Sequence, residues 1–298
     1  MWFKQIQIFQ LKSSSPILYD KLIPQLQSLV FQPCLPTLPH SAGWIAPVNE
    51  PEAPIAEEIN QRIMLCMQIE ERILPSFVIR QNLHEKVQQL QATSQRKLGK
   101  REKDALKDEI IMTLLPKSFT KLTKVFGYID LKHQWLVLGA VNKKKTESFL
   151  NLFKKSLGES VQTFEINRIP PVITQWLSRK NYPNDFVVEK KCTLQDANQK
   201  TRIIRCQQQD LFVNSILEFI KDGCELKQLA LIWQDKVNFV LADDFTLRSI
   251  RYEKELTEQS AQDLEAETQR QKFMANFFMM GETLAPLLQS LLTVFIKA

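Results

Sequence analysis

Glycine is scarce in this 298-residue chain: seven in all, and none falls in a GxGxxG or GxxxxGK[ST] spacing. A loop that wraps phosphates in backbone N–H groups needs such spacing, so nucleotide-cradling chemistry finds no support. Histidine is scarcer. His40, His84 and His133 lie far apart, and none pairs with another His or with Cys at a metal-ligand spacing. No nucleophile elbow marks a Ser–His–acid set, although a set dispersed along the chain stays open. The five cysteines form no C-x-x-C pair, and their odd number argues against a full disulfide framework. Reduced thiols in a cytoplasmic protein are the plain reading. No stretch reaches eighteen uninterrupted apolar residues, so no membrane span is expected. The opening MWFKQIQIFQLK breaks its apolar run every second or third residue, which suits an edge or half-buried strand rather than a signal peptide. These absences predict no catalytic residue, no metal, no cofactor, and a protein that is not an enzyme.

What is present is ordinary in bulk and uneven in detail. Hydrophobic residues make up 44% and charged residues 24%, as in a globular protein with a large core. Residues 1–80 carry a net charge of −1, residues 81–205 carry +12, and residues 206–298 carry −5, which gives the overall +6. A basic middle between weakly acidic ends points to a polyanionic partner held by one part of the molecule.

Periodicity predicts a first strand over about 2–11. A helix follows, capped by Ser15 with Pro16 in its first turn and with Leu18, Leu22, Leu26 and Leu29 on one face. Six of the fourteen prolines fall within 31–56, an irregular stretch. Residues 61–74 read as a long strand. Ser76 then caps a helix to about residue 92, with Val78, Leu83, Val87 and Leu90 inward. A hairpin is expected over 124–140, a helix over 143–158 closed by Gly158, a short strand at VQTFEI, and a helix at PPVITQWLSRK. Further strands are expected near 185–193, 201–207, 226–234, 236–242 and 246–252. Helices are expected over 211–221 and 254–296. Gln234-Asp235 and Asp243-Asp244 mark tight turns, and a turn role for the aspartate pair is favoured over metal binding.

One segment stands out. QRKLGKREKDALKDEI (95–110) has Lys or Arg at six of sixteen positions and reads as helix, with a break near Gly99. At 100° per residue, Arg96, Lys100, Lys103 and Lys107 lie within about 60° of one another and span roughly 16 Å, enough to follow several phosphates. Lys97 and Arg101 add charge beside them, and Lys117, Lys121 and Lys124 follow directly. Lys143, Lys144, Lys145, Lys154 and Lys155 lie further on. The bland alternative is a solvated face in which Asp104 pairs with Lys100 or Lys107. Phe119, Trp135 and Trp176 are able to stack on bases, but core or subunit-contact roles are commoner for such residues. Phe119 sits between Lys117 and Lys121, an odd setting for a large apolar side chain unless something covers it.

Across nearly its whole length the chain resembles the bacterial recombination-associated RdgC family. The likeness rests on MWFKQIQIFQL, ERILPSFVIRQNL, RKLGKREKDALKDEIIMTLLPKSF, KKSLGES, CQQQDL, LALIWQDKVNFVLADDFTLRSIRY and FMMGETLAPLLQSLL, in that order. The resemblance implies a homodimer closed into a ring around a positively lined hole, binding duplex and single-stranded DNA with little sequence preference. It further implies restraint of RecA-driven strand exchange and a part in recombination and replication-fork repair, in the cytoplasm and on the nucleoid. It places Phe119 at a contact between subunit tips. It places the family's Lys-Gln pair on Gln208 and Gln209, where the lysine is lost; Arg202 and Arg205 are near enough in sequence to supply the missing charge.

The expected architecture is therefore α+β and multi-domain, with mixed antiparallel sheets, long helices and a ring-shaped homodimer. Three segments are expected: 1–75, 76–205 with the DNA-facing helices, and 206–298. The DNA-binding set is Arg96, Lys97, Lys100, Arg101, Lys103, Lys107, Lys117 and Lys121. Two other functions remain open: a module that binds a recombinase directly, and a nuclease without a recognised motif.

Overall fold

The computed structural model of the chain describes residues 2–12, 17–199, 201–254, 256 and 268–296. Its class is α+β, with two curled antiparallel sheets and, among the described residues, seven helices. The first sheet holds β1 (Gln7–Lys12), β2 (His40–Ile45), β3 (Ala56–Ile59), β4 (Arg62–Arg72), β5 (Thr120–Asp130), β6 (Trp135–Leu138) and β7 (Ser160–Gln162). Its order is β2-β4-β5-β6-β1-β7, with β3 sharing the β4 edge beside β2. The N-terminal strand is thus interior, between β6 and β7, and not at the edge.

Helices α1 (Tyr19–Gln27) and α4 (Lys143–Leu157) cover one face of this sheet. Leu22, Leu26, Phe149 and Phe153 pack there against Ile63, Leu65, Met67 and Ile129. α4 closes as its sequence predicts, at Gly158 with φ of 68°. The expected cap at Ser15 and Pro16 lies outside the described residues.

The second sheet runs β12 (Leu247–Tyr252), β11 (Val237–Ala242), β10 (Cys224–Trp233), β8 (Phe186–Asp196), β9 (Ile203–Gln207). Gln234 and Asp235 both adopt positive φ in the β10–β11 turn, as a two-residue hairpin requires. Asp244 holds its own turn, accepting from Thr246 N–H at 3.2 Å and pairing with Arg248 at 3.0 Å. The sheet unites strands from 186 onward, so the expected boundary at 205–206 falls inside β9. α5 (Ile169–Arg179) and α6 (Asn214–Lys221) pack on one of its faces.

Between the two sheets lies α7 (Gln269–Phe295). It is long and apolar enough, by length and composition, to cross a bilayer, but most of that apolar surface is spent inside the molecule. Phe277, Met280, Leu284, Leu288 and Leu291 join one continuous core with Tyr128 and Val137 of the first sheet and Leu229 and Phe239 of the second. The stretch expected to be helical before it, 254–267, is largely outside the described residues. Ile6 adds a second junction, exchanging backbone hydrogen bonds with Leu247 at 2.8 and 3.0 Å.

Two ion pairs fix how α7 sits on the first sheet. Arg270 makes a two-pronged pair with the buried Glu57, at 2.8 and 3.0 Å. Arg62, 5% exposed, bridges Asp130 on β5 (3.2 Å) and Glu282 on α7 (2.6 Å). Asp130 is 1% exposed, and its side chain is met by Arg62 Nε and, at 2.9 Å, by His133 Nδ1. Arg62 fits only because α7 has a glycine beneath it. A Cβ on Gly281 would stand 2.8 Å from Arg62 Cδ and 2.9 Å from Nη1. Gly281→Ala is therefore expected to cost about 1–3 kcal/mol by overpacking. In an Arg62→Ala background, the added cost of Gly281→Ala should fall toward zero in urea titrations, because Cδ, Nε and Nη1, the atoms that the new Cβ would meet, are gone. Equal costs in both backgrounds would mean that the glycine serves something other than Arg62.

Candidate nucleic-acid interface

β4 and β5 pair along eleven residues, from Arg62↔Asp130 to Arg72↔Thr120. At their far end the chain leaves the sheet as a helical finger: α2 (Ser76–Ser94), a loop, α3 (Lys100–Leu114), and a 3₁₀ turn at Leu115–Lys117 that leads back into β5. Pro75 occupies the cap position of α2, and Ser76 is its first helical residue. No α2 residue is fully buried. The expected inward residues Val78, Leu83 and Val87 are half-buried and Leu90 is exposed, because it is the slender α3, not a sheet, that packs against α2.

The root of the finger is pinned by Arg72. Its guanidinium donates to the carbonyls of Cys34 (3.2 Å), Leu115 (3.3 Å), Ser118 (3.3 Å) and Leu35 (3.4 Å). Glu70 holds the same loop from the other side, accepting from Cys34 N–H at 2.7 Å, a bond that keeps its carboxyl below the usual range.

The basic segment is not one helix. α2 stops at Gln95, which takes a left-handed conformation with φ of 50°. Residues 95–99 form a loop, and α3 begins after Gly99. Arg96 accordingly leaves the expected stripe. It folds back on Glu102, Nη2 to Oε1 at 2.5 Å, and Glu102 also accepts from Gly99 N–H at 2.8 Å. Both bonds hold the Glu102 carboxyl below its usual value, the Arg96 bond more strongly. Arg96 is thus occupied in closing the start of α3.

The remaining stripe survives. Lys100, Lys103 and Lys107 are exposed on one face of α3, over about 10 Å. Arg101 is exposed beside them and Lys97 lies in the loop at the tip. Lys117 and Lys121 stand at the root, about 22 Å away along α3. Among the described residues none of these seven cations has a carboxylate within ion-pair distance. Among the described residues Asp104 forms no ion pair with Lys100 or Lys107. Two nearby acids are engaged elsewhere: Glu109 with Lys86 of α2 (2.7 Å), and Glu71, opposite Lys121 in the ladder, with Lys144 of α4 (2.5 Å). An array of unneutralised cations on a projecting helix suits phosphates.

Phe119 is 86% exposed, the most open large apolar side chain of the described residues. Ile73, Phe77 and Met112 are exposed in the segments that meet at the same root. Trp135 and Trp176 are buried in the core, so neither is available to stack on a base. Gln208 and Gln209 are exposed on the turn after β9, far in sequence from the finger. Arg202 is engaged with Asp196 at 3.5 Å and lies over the Phe219 ring, so it does not stand in for the missing lysine. Arg205 is exposed without a partner among the described residues. Sequence reading missed a second basic surface, on the outer face of the second sheet, where Lys190, Lys191, Arg205 and Arg251 are exposed. Among the described residues no three His, Cys, Asp or Glu side chains converge into a group able to hold a metal ion.

Neutralising Lys100 and Lys103 together should lower the slope of log affinity on log salt by about 0.9 per lost duplex-phosphate contact, equally for all sequences. An unchanged slope in the folded double variant would leave the stripe as a solvated face.

Comparison with known proteins places this geometry in context. The family model described as "RdgC: Putative exonuclease, RdgC" matches residues 1–298. A protein of Yersinia enterocolitica serotype O:8 named recombination-associated protein RdgC is 34% identical over 294 residues, covering 98% of this chain and 97% of that one. Proteins of the same name from Yersinia pestis (strain Pestoides F) and Yersinia pseudotuberculosis serotype O:1b are each 33% identical with the same coverage.

Proposed function

Because the chain belongs to the RdgC family, we propose that it binds DNA without reading its sequence, as a homodimer closed into a ring around the helix. In this reading it acts in recombination and replication-fork repair, in the cytoplasm and on the nucleoid. A ring on DNA occupies backbone that a recombinase filament needs, which restrains RecA-driven strand exchange without catalysis or a cofactor. Duplex and single strands are both ligands.

The observation that carries the reading is the face of α3. Lys100, Lys103 and Lys107 are exposed, aligned and free of carboxylate partners among the described residues. Contacts of this kind go to phosphates, which are the same in every sequence. The apolar root of the finger supports contact between copies: Phe119 and Met112 are 86% and 75% exposed, and water alone covers such large apolar side chains poorly. Gln208 and Gln209 supply a second, polar contact in the ring reading.

Encirclement has a kinetic signature. Preformed complexes on closed circular duplex should outlast those on linear duplex of equal length after a jump to high salt, where phosphate contacts are screened. Cutting the circle should release the protein. Phe119→Ser should shorten the half-life on circles toward the linear value while each subunit stays folded. Equal half-lives for the parent protein on both forms would leave DNA binding standing and end the ring. Salt-dependent DNA affinity in the purified protein separates this reading from a module that only binds a recombinase. Loss of end label with magnesium or manganese would favour the activity named in the family's description.

A further inference from the structure

Among the described residues the second sheet is covered on one face only. Its inward pleat carries Leu229, Leu231, Phe239 and Leu241 into the core against α5, α6 and α7. Its outward pleat forms an open groove of about 840 Å³. The floor is aliphatic, built from Ala230, Ile232 and Val240 of β10 and β11. Ladder register sets Val187 directly beside Ile232, and Val187 is 48% exposed.

The rim is basic. Lys190 and Lys191 line the β8 side, and Arg251 lines the β12 side. Arg205, opposite Thr193 in the β8–β9 ladder, extends the β8 side by one strand. β8 and β12 are three strand spacings apart, about 14 Å. Among the described residues none of the four cations has an ion-pair partner, and Glu189 is the single acid in the lining. Gln207, Asn238 and Ser249 add neutral polar groups.

We infer that this groove is a track for single-stranded nucleic acid, separate from the finger. The inference rests on the reading that the chain binds DNA. Its physical basis is the pairing of an apolar floor with a cationic rim. A single strand offers both complements, unpaired base faces and phosphates. A duplex keeps its base faces stacked inside and has nothing to lay on the floor. An acidic protein surface would match the rim but leave Ile232 and Val187 against polar groups. The floor carries no exposed aromatic ring, so stacking contributes little and phosphate contacts dominate the affinity.

The test is Lys191→Gln with Arg251→Gln, measured against a thymidine oligonucleotide and against duplex at several salt concentrations. For the single strand, the salt slope should fall by about 1.4 for two lost contacts, at about 0.7 each. Affinity for duplex, and its slope, should stay at the parent value. The charge-preserving pair Lys191→Arg with Arg251→Lys should keep single-strand binding, which separates lost charge from lost fold. Unchanged single-strand affinity in the neutral variant would overturn the track. A parallel loss on both ligands would also overturn it, because the surface would then be shared. A change in sedimentation without a change in DNA affinity would assign the face to contact between copies, a third contrary result, since Gln208 lines the same groove. A parent protein that bound no DNA would end both this inference and the reading it rests on.

Discussion

One helix has to serve two sheets. α7 lies between them, and the side chains that complete the core of each sheet come from its opposite faces. A helix in that position is apolar over most of its circumference, with Glu282, Pro286, Gln289 and Thr293 on the face left to solvent. Its second half therefore imitates a membrane segment in composition. The exception is instructive. Arg62 reaches across the helix to pair with Glu282 while holding Asp130, and the helix yields room for it at Gly281. Charge at this junction fixes how the helix lies on the first sheet, a position that apolar contact alone would leave loosely defined. Both basic surfaces depend on that arrangement, since the ribbon bearing the finger grows from one sheet and the groove is the back of the other.

Much of this was legible in the chain. Alternation and turn residues located the strands of the second sheet, and Gln234-Asp235 marked a hairpin turn. Lys100, Lys103 and Lys107 shared a face by spacing alone. Arg96 did not, because helical spacing presumes an unbroken helix, and the left-handed Gln95 that ends α2 is not a residue whose type announces a stop. Val78, Leu83 and Val87 show a related limit: periodicity says which face is apolar but not whether anything large will cover it. The flanking lysines did announce an exposed Phe119. The groove was invisible because Lys191, Arg205 and Arg251 come from three strands, and only the ladder register brings them to one face.

The two basic surfaces differ in kind. The stripe on α3 is convex and ionic, with Glu102 and Glu109 of its own helix turned to Arg96 and Lys86. The groove is concave and amphipathic, with aliphatic side chains between its cations. A convex row suits a rigid polyanion whose charges lie outside. A lined trough suits a flexible one that is able to turn its apolar parts inward. The fold thus divides the +12 of residues 81–205 between two surfaces, and Arg251, from the acidic C-terminal segment, joins the second, which a net charge does not reveal.

The finger enters and leaves the sheet through adjacent, hydrogen-bonded strands, at Arg72 and Thr120. Between those two points it contributes almost nothing to either core. Residues added to or removed from α2 and α3 in matched turns would shift no strand register and open no cavity. Its reach is therefore a dimension that evolution is free to adjust, lengthening or shortening the span to whatever the tip faces while the body of the protein stays the same.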